Sequence, residues 1–166
     1  MKTRMGMLAM VALLAGCSGN GSAPVQQSPT QQGAFAIRSA SANGGTTRVT
    51  LHADSTAGTI ITLVGQLKYD TSRLKVQGCE IGTGIGAGTT AGKTLHFAEP
   101  ARGVVRTVVE GGLQPLPQDT DILTCTFAPA SGASAGPASV RAEGNVSDMS
   151  FVDRPFAADG TVQVGN

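Results

Sequence analysis

The sequence predicts an all-β domain, a two-layer sandwich of nine strands, and three observations carry that prediction. From residue 34 onward, short apolar and β-branched segments recur between clusters of Gly, Asp, Asn and Ser. Strict alternation marks Val49-Thr50-Leu51-His52-Ala53 and Leu123-Thr124-Cys125-Thr126-Phe127, so every second side chain can face a core. No stretch of the sequence keeps apolar residues at helical spacing for three turns.

The predicted strands are 35–39, 47–53, 59–69, 74–79, 94–98, 104–110, 122–127, 138–143 and 161–164. The second and seventh follow from the alternation just described. The third and fourth are separated by Asp70-Thr71-Ser72-Arg73, in which Asp70 and Ser72 can bond the turn's own amides while Leu67, Tyr69, Leu74 and Val76 face inward. Leu95-His96-Phe97 continues as strand rather than helix. Residues 104–109 form a long, weakly charged run suited to pairing with another subunit if it lies at a sheet edge. Asp159-Gly160 turns the chain into the last strand. One domain, 34–166, is expected, and about two thirds of the unfolded surface of a chain this size is buried on folding, so neither partner nor metal is needed for stability.

The first residues have a different character. Lys2 and Arg4 precede an apolar run from Met7 to Leu14 that is too short to span a bilayer, and 1–16 therefore reads as a secretory signal. The run ends in Leu14-Ala15-Gly16-Cys17, which resembles the lipobox of bacterial lipoproteins. That resemblance implies a lipid on Cys17 and, with Ser18 rather than Asp following, sorting to the outer membrane of a Gram-negative bacterium. Two or three acyl chains suffice for stable anchoring at about 0.8 kcal/mol per buried methylene. The lipidated N-terminus and its linker, 17–33, are rich in Gln, Ser, Gly and Pro and carry no charged side chain, the composition of a disordered tether.

Removing 1–16 changes 12 basic against 11 acidic side chains to 10 against 11, which leaves no electrostatic footprint for nucleic acid. Contact with the membrane is expected through the lipid anchor alone. The segment Ala87-Gly88-Thr89-Thr90-Ala91-Gly92-Lys93-Thr94 fits a relaxed phosphate-loop pattern, but a strand follows it where a phosphate site needs a helix. Residues 82–92 are read instead as a mobile hairpin loop. His52 and His96 alternate with apolar neighbours and are expected to point to solvent, neither with a second metal ligand at suitable spacing. A serine or cysteine nucleophile would need one of these two histidines as its base, so no catalytic residue, cofactor or metal site is assigned and the chain is not expected to be an enzyme. Asp119-Thr120-Asp121 could offer oxygens to calcium but does not complete an EF-hand loop, and turn-forming aspartates are the simpler reading.

Cys79 and Cys125 remain once Cys17 carries lipid. An even number of cysteines in an oxidising compartment suits a disulfide, while two buried thiols acting as small apolar residues are the alternative.

The run Gly65-Gln66-Leu67-Lys68-Tyr69-Asp70-Thr71-Ser72-Arg73-Leu74-Lys75-Val76 resembles the cohesin domain, as do Asp121 to Phe127 with the Gly-bearing turn after them and the closing Asp159 to Val164. The resemblance covers about 130 residues by order and spacing. It implies a nine-stranded jelly-roll sandwich whose exposed sheet face binds a dockerin, a small calcium-loaded helical module on a partner protein. No contact residue is transferred, because cohesin interfaces have no fixed motif to match. A single such domain beside a lipid anchor departs from tandem cellulosomal scaffolds, which puts cellulose degradation in doubt. Two other functions fit a sandwich: carbohydrate binding, disfavoured by the absence of Trp and by one inward-facing Tyr69, and a structural subunit of an envelope assembly.

Overall fold

The alternating segments form two antiparallel sheets packed face to face, and a computed structural model describes residues 33–42 and 45–165 of the chain. The predicted signal 1–16, the lipidation residue Cys17 and the linker as far as residue 32 lie outside the described residues. Nine strands are formed among the described residues: β1 Phe35–Ser41, β2 Thr47–Ala53, β3 Thr62–Tyr69, β4 Leu74–Ile81, β5 Thr94–Ala101, β6 Val104–Glu110, β7 Thr120–Pro129, β8 Gly136–Ser147 and β9 Asp153–Val164. A 3-10 turn, Ser55–Ala57, sits between β2 and β3, and its Thr56 amide donates to the Asp54 carboxylate.

One sheet has the order β1-β2-β7-β4 and the other β5-β6-β3-β8-β9. This is the expected sandwich with jelly-roll connections, since the chain crosses between sheets after β2, β3, β4, β6 and β7. The core lies between the layers and contains Val49, Leu51, Leu63, Leu67, Val105, Val109, Leu123, Phe127, Val140, Val146 and Val162, all nearly inaccessible to water. Edge strands β1 and β9 close one side. Gly160 lets them approach, because a Cβ there would stand 2.4 Å from the Ile37 Cγ2.

The β3–β4 turn behaves as its sequence requires. The Asp70 carboxylate accepts from the Ser72 amide at 2.9 Å and the Ser72 hydroxyl at 2.6 Å, and those hydrogen bonds hold it below the usual carboxylate range. Leu67, Tyr69 and Leu74 are buried around it, and the Tyr69 ring meets Phe127 edge-on with centroids 5.1 Å apart. Cys79 and Cys125 lie directly opposite each other on β4 and β7 and are joined as a disulfide.

Several expectations need correction. Strands β8 and β9 run for 12 residues each, far beyond 138–143 and 161–164, because their long hairpin continues through polar residues that face solvent on one side. The run 104–109 is not at an edge: β6 is paired on both sides, with β5 and with β3. Residues 82–92 are not a hairpin, since β4 and β5 belong to different sheets. That crossing is tied down by Ile85, which is fully buried, and by backbone bonds from Gly82 to Ile122 and from Lys93 to Ile85, both 2.8 Å.

Candidate functional site

The outer face of the five-stranded sheet presents its side chains in three transverse rows, set by the strand register. Ala98, Arg106, Gln66, Glu143 and Ala157 form the central row. On one side of it lie His96, Val108, Val64, Asn145 and Pro155, and on the other Val104, Lys68, Arg141 and Asp159. Outward alternation on the five strands thus assembles in each row residues as much as 91 positions apart in sequence, such as Gln66 and Ala157.

Glu143 is the hub of this face. Its Oε1 accepts from the Lys68 Nζ at 2.5 Å and the Gln66 Nε2 at 2.7 Å, and its Oε2 accepts from the Arg141 Nε at 2.9 Å. Hydrogen bonds from Lys68, Arg141 and Gln66 hold the Glu143 carboxyl at about 2, well below its ordinary value. The Arg141 Nη1 also donates to both Asp159 oxygens at 2.9 Å, and its two acidic partners raise its affinity for its proton. These side chains are therefore fixed before anything binds, which lowers the entropy lost on recognition.

Beside this network, the face offers groups that the chain itself does not use. The Arg106 side chain makes no hydrogen bond or ion pair among the described residues, and it borders a shallow depression of 610 Å³ together with Val64, Gln66, Glu143 and Pro155. Val64 is 53 % exposed, unusual for a valine on a central strand. A second depression, lined by Lys68, Asp70, Ser139 and Asp159, adjoins the first through Arg141. A free guanidinium, an exposed valine and a pre-ordered charged row suit recognition of a surface; they contain no nucleophile beside a base.

The opposite face differs. On the four-stranded sheet, Thr50 and Thr124 share a hydroxyl hydrogen bond at 2.8 Å, and Arg48 pairs with Glu80 across β7. His52 lies on this outward side, as alternation requires, yet it is not solvent-exposed: only 3 % of it is accessible. Its Nδ1 is 2.8 Å from the Asp121 Oδ1 and its Nε2 is 2.9 Å from the Asp119 Oδ1. The chain enters β7 over the ring, next to a register shift between Leu51 and His52. Asp119 and Asp121 thus clamp a histidine rather than line an ion site. Among the described residues no group of three or more His, Cys, Asp and Glu side chains could hold a metal. His96 does face solvent, 3.4 Å from Glu110.

Two features escaped sequence reasoning altogether. Lys93, from the rejected phosphate-loop pattern, is 1 % exposed and donates to the Gly111 and Gly112 carbonyls at 2.6 and 2.9 Å, pinning the β4–β5 crossing to the β6–β7 loop. Burial holds its ammonium below the ordinary lysine value. The Glu143 hub escaped for a different reason: its donors Lys68 and Arg141 lie 75 and 2 residues away, a spacing with no local signature.

No protein-family model matches the sequence, and no curated protein matches it. Solved structures do match. The chain is similar in fold to a chain of the CaDoc0917–CaCohA2 complex, with a TM-score of 0.65, 20 % identity, and coverage of 78 % of this chain and 97 % of the other. It is similar to the sixth cohesin of Acetivibrio cellulolyticus scaffoldin B, solved in complex with a Cel5 dockerin, with a TM-score of 0.56, 17 % identity, and coverage of 75 % and 95 %. A non-cellulosomal cohesin from the archaeon Archaeoglobus fulgidus matches with a TM-score of 0.61, 12 % identity, and coverage of 80 % and 90 %. The fold is that of cohesin modules.

Proposed function

We propose that this chain is a binding module that uses the outer face of its five-stranded sheet to hold a dockerin-class protein partner. Cohesin modules of the same fold have been solved with dockerins, and that likeness supports the class of partner. The observation that carries the choice of face is Arg106, whose side chain is uncommitted next to the pre-ordered pair Gln66 and Glu143 and beside exposed Val64. A binder rather than a catalyst fits a face that holds no nucleophile beside a base, and on the opposite sheet both nitrogens of His52 are occupied by carboxylates.

The same proposal includes the anchor: lipid on Cys17 holds the module at the outer membrane, and the linker 17–33 separates the two. A sugar ligand is the weaker reading, because Tyr69 packs inward on Phe127 and no Trp offers a flat face.

A pull-down from the envelope of the producing organism, with and without calcium chelation, tests the partner. Recovery of a dockerin-bearing protein only when calcium is present supports the proposal. Retention on polysaccharide with no protein partner in either condition contradicts it. Mass spectrometry of the mature N-terminus tests the anchor, and an unmodified Cys17 refutes it.

A further inference from the structure

Among the described residues, six large apolar side chains are exposed, and four of them, Leu113, Met149, Phe151 and Val152, lie at one end of the sandwich. Met149, Phe151 and Val152 form the tip of the β8–β9 hairpin, at 57, 82 and 52 % exposure. Leu113, 69 % exposed, belongs to the β6–β7 loop, which reaches this end through the bond from the Leu116 amide to the Ile60 carbonyl. Ile61, next along, donates to the Ser147 carbonyl immediately before the tip.

The chain also enters the domain at this end. Phe35 stacks on Phe156 with centroids 4.7 Å apart, three residues from the start of β9. The Asp54 amide donates to the Ala34 carbonyl, and Arg154 reaches the Ala57 and Thr59 carbonyls at 3.0 and 2.5 Å. At about 3.3 Å per extended residue, Gly33 and the tip lie within roughly 20 Å of each other. Sixteen residues, 18–33, separate Cys17 from this end of the domain, a length whose composition allows a reach of roughly 20 to 25 Å. A lipid on Cys17 therefore brings a bilayer within reach of the tip.

The tip is built to present its apolar groups. The Phe151 amide donates to the Asp148 carbonyl, the Ser150 amide donates to the Asp148 carboxylate, and Ser147 bonds Asp153, so the turn satisfies much of its own polarity. Phe151 has a φ of 56°, a left-handed backbone that a bulky side chain rarely adopts, and its ring is left largely open to solvent. Its charge also narrows the choice of surface. Asp148 and Asp153 flank the tip, and the adjacent cation, Arg154, is turned inward onto carbonyls, so nothing there would attract an anionic headgroup.

We propose that Met149, Phe151 and Val152 insert into the headgroup and acyl boundary of the bilayer that holds Cys17, a second and apolar contact that orients the domain with its tip on the membrane. This rests on the lipid-anchor reading. The five-stranded outer face runs along the flank of the sandwich, so it stays open to a partner in that orientation.

The chain contains no Trp, so the full-length protein with Phe151→Trp carries a single reporter. On phosphatidylcholine vesicles with brominated acyl chains, its emission should move to shorter wavelength and fall by about twofold or more, while Ser131→Trp at the far end stays unquenched. Adding anionic lipid should not strengthen the signal. In the full chain with Cys17→Ser, which cannot be acylated, replacing Met149, Phe151 and Val152 together by Ser should lower vesicle partitioning by about tenfold or more. An unquenched Trp in a chain whose N-terminal mass shows the lipid overturns the insertion and leaves the anchor standing. Quenching in a chain with unmodified Cys17 refutes the anchor and keeps the insertion. A blue shift that follows protein concentration without lipid quenching identifies a second copy as the occupant and overturns the proposal.

Discussion

The outer faces of the two sheets both carry charged side chains but use them differently. On the four-stranded sheet, polar groups are turned on one another: Thr50 on Thr124, Arg48 on Glu80, and His52 between Asp119 and Asp121. A disulfide locks β4 to β7 just beneath. On the five-stranded sheet, the Lys68, Glu143, Arg141 and Asp159 chain is equally well bonded, yet Arg106, Val64 and Val108 stand beside it with nothing to hold. The first face turns its polar groups on one another, whereas the second leaves Arg106 and Val64 unpaired, as the proposed binding face requires. Their difference lies in burial and pairing rather than in composition.

Breaking the covalent link should have the largest effect. Replacing Cys79 and Cys125 together by Ala is expected to destabilise the domain by up to about 4 kcal/mol, the chain-entropy value for a loop of this length, as measured by urea unfolding. Next comes the seam between the sheets. Lys93→Met leaves the Gly111 and Gly112 carbonyls without their buried donor and should cost about 3 kcal/mol in the same assay. His52→Ala strips both aspartates of a partner and should cost about 2 kcal/mol, with binding to the partner unchanged.

The smallest change is expected on the open face. Glu143 ionises at about 2 in the folded chain, below its ordinary 4.5, so its ion pairs stabilise the fold above about pH 4.5, and that contribution disappears as the pH falls toward 2. Because the pairs are partly solvated, the loss should stay below about 1 kcal/mol. Unfolding of Glu143→Gln between pH 5 and pH 2.5 should show a correspondingly shallower acid slope. An effect as large as that of His52→Ala would erase the distinction between the faces.

Much of this architecture was legible in the chain. Alternation in Val49 to Ala53 and in Leu123 to Phe127 located two strands of one sheet, and the Asp70-Thr71-Ser72 turn located the crossing between sheets, because period-two patterning and short side-chain-to-backbone bonds are local properties. Extents were less legible: β8 and β9 continue through Asn145, Ser147 and Asp153, polar residues that composition assigns to loops but that a solvated sheet face accepts. The candidate face was illegible for a stronger reason. Gln66, Arg106 and Glu143 become neighbours only once β6, β3 and β8 pair in register, and no spacing along the chain encodes that order. His52 shows the same limit from the other side, since alternation set its direction correctly while its burial depended on Asp119 and Asp121, 67 and 69 residues away.

The most direct test of the account is calorimetric titration of the calcium-loaded dockerin module of the captured partner against the domain and three variants. Val64→Asp and Arg106→Glu on the five-stranded face should each weaken binding by about a hundredfold or more, and Thr126→Asp on the four-stranded face should leave it within about threefold. The reverse pattern, with Thr126→Asp abolishing binding and the other two variants retaining it, would contradict the assignment of the face.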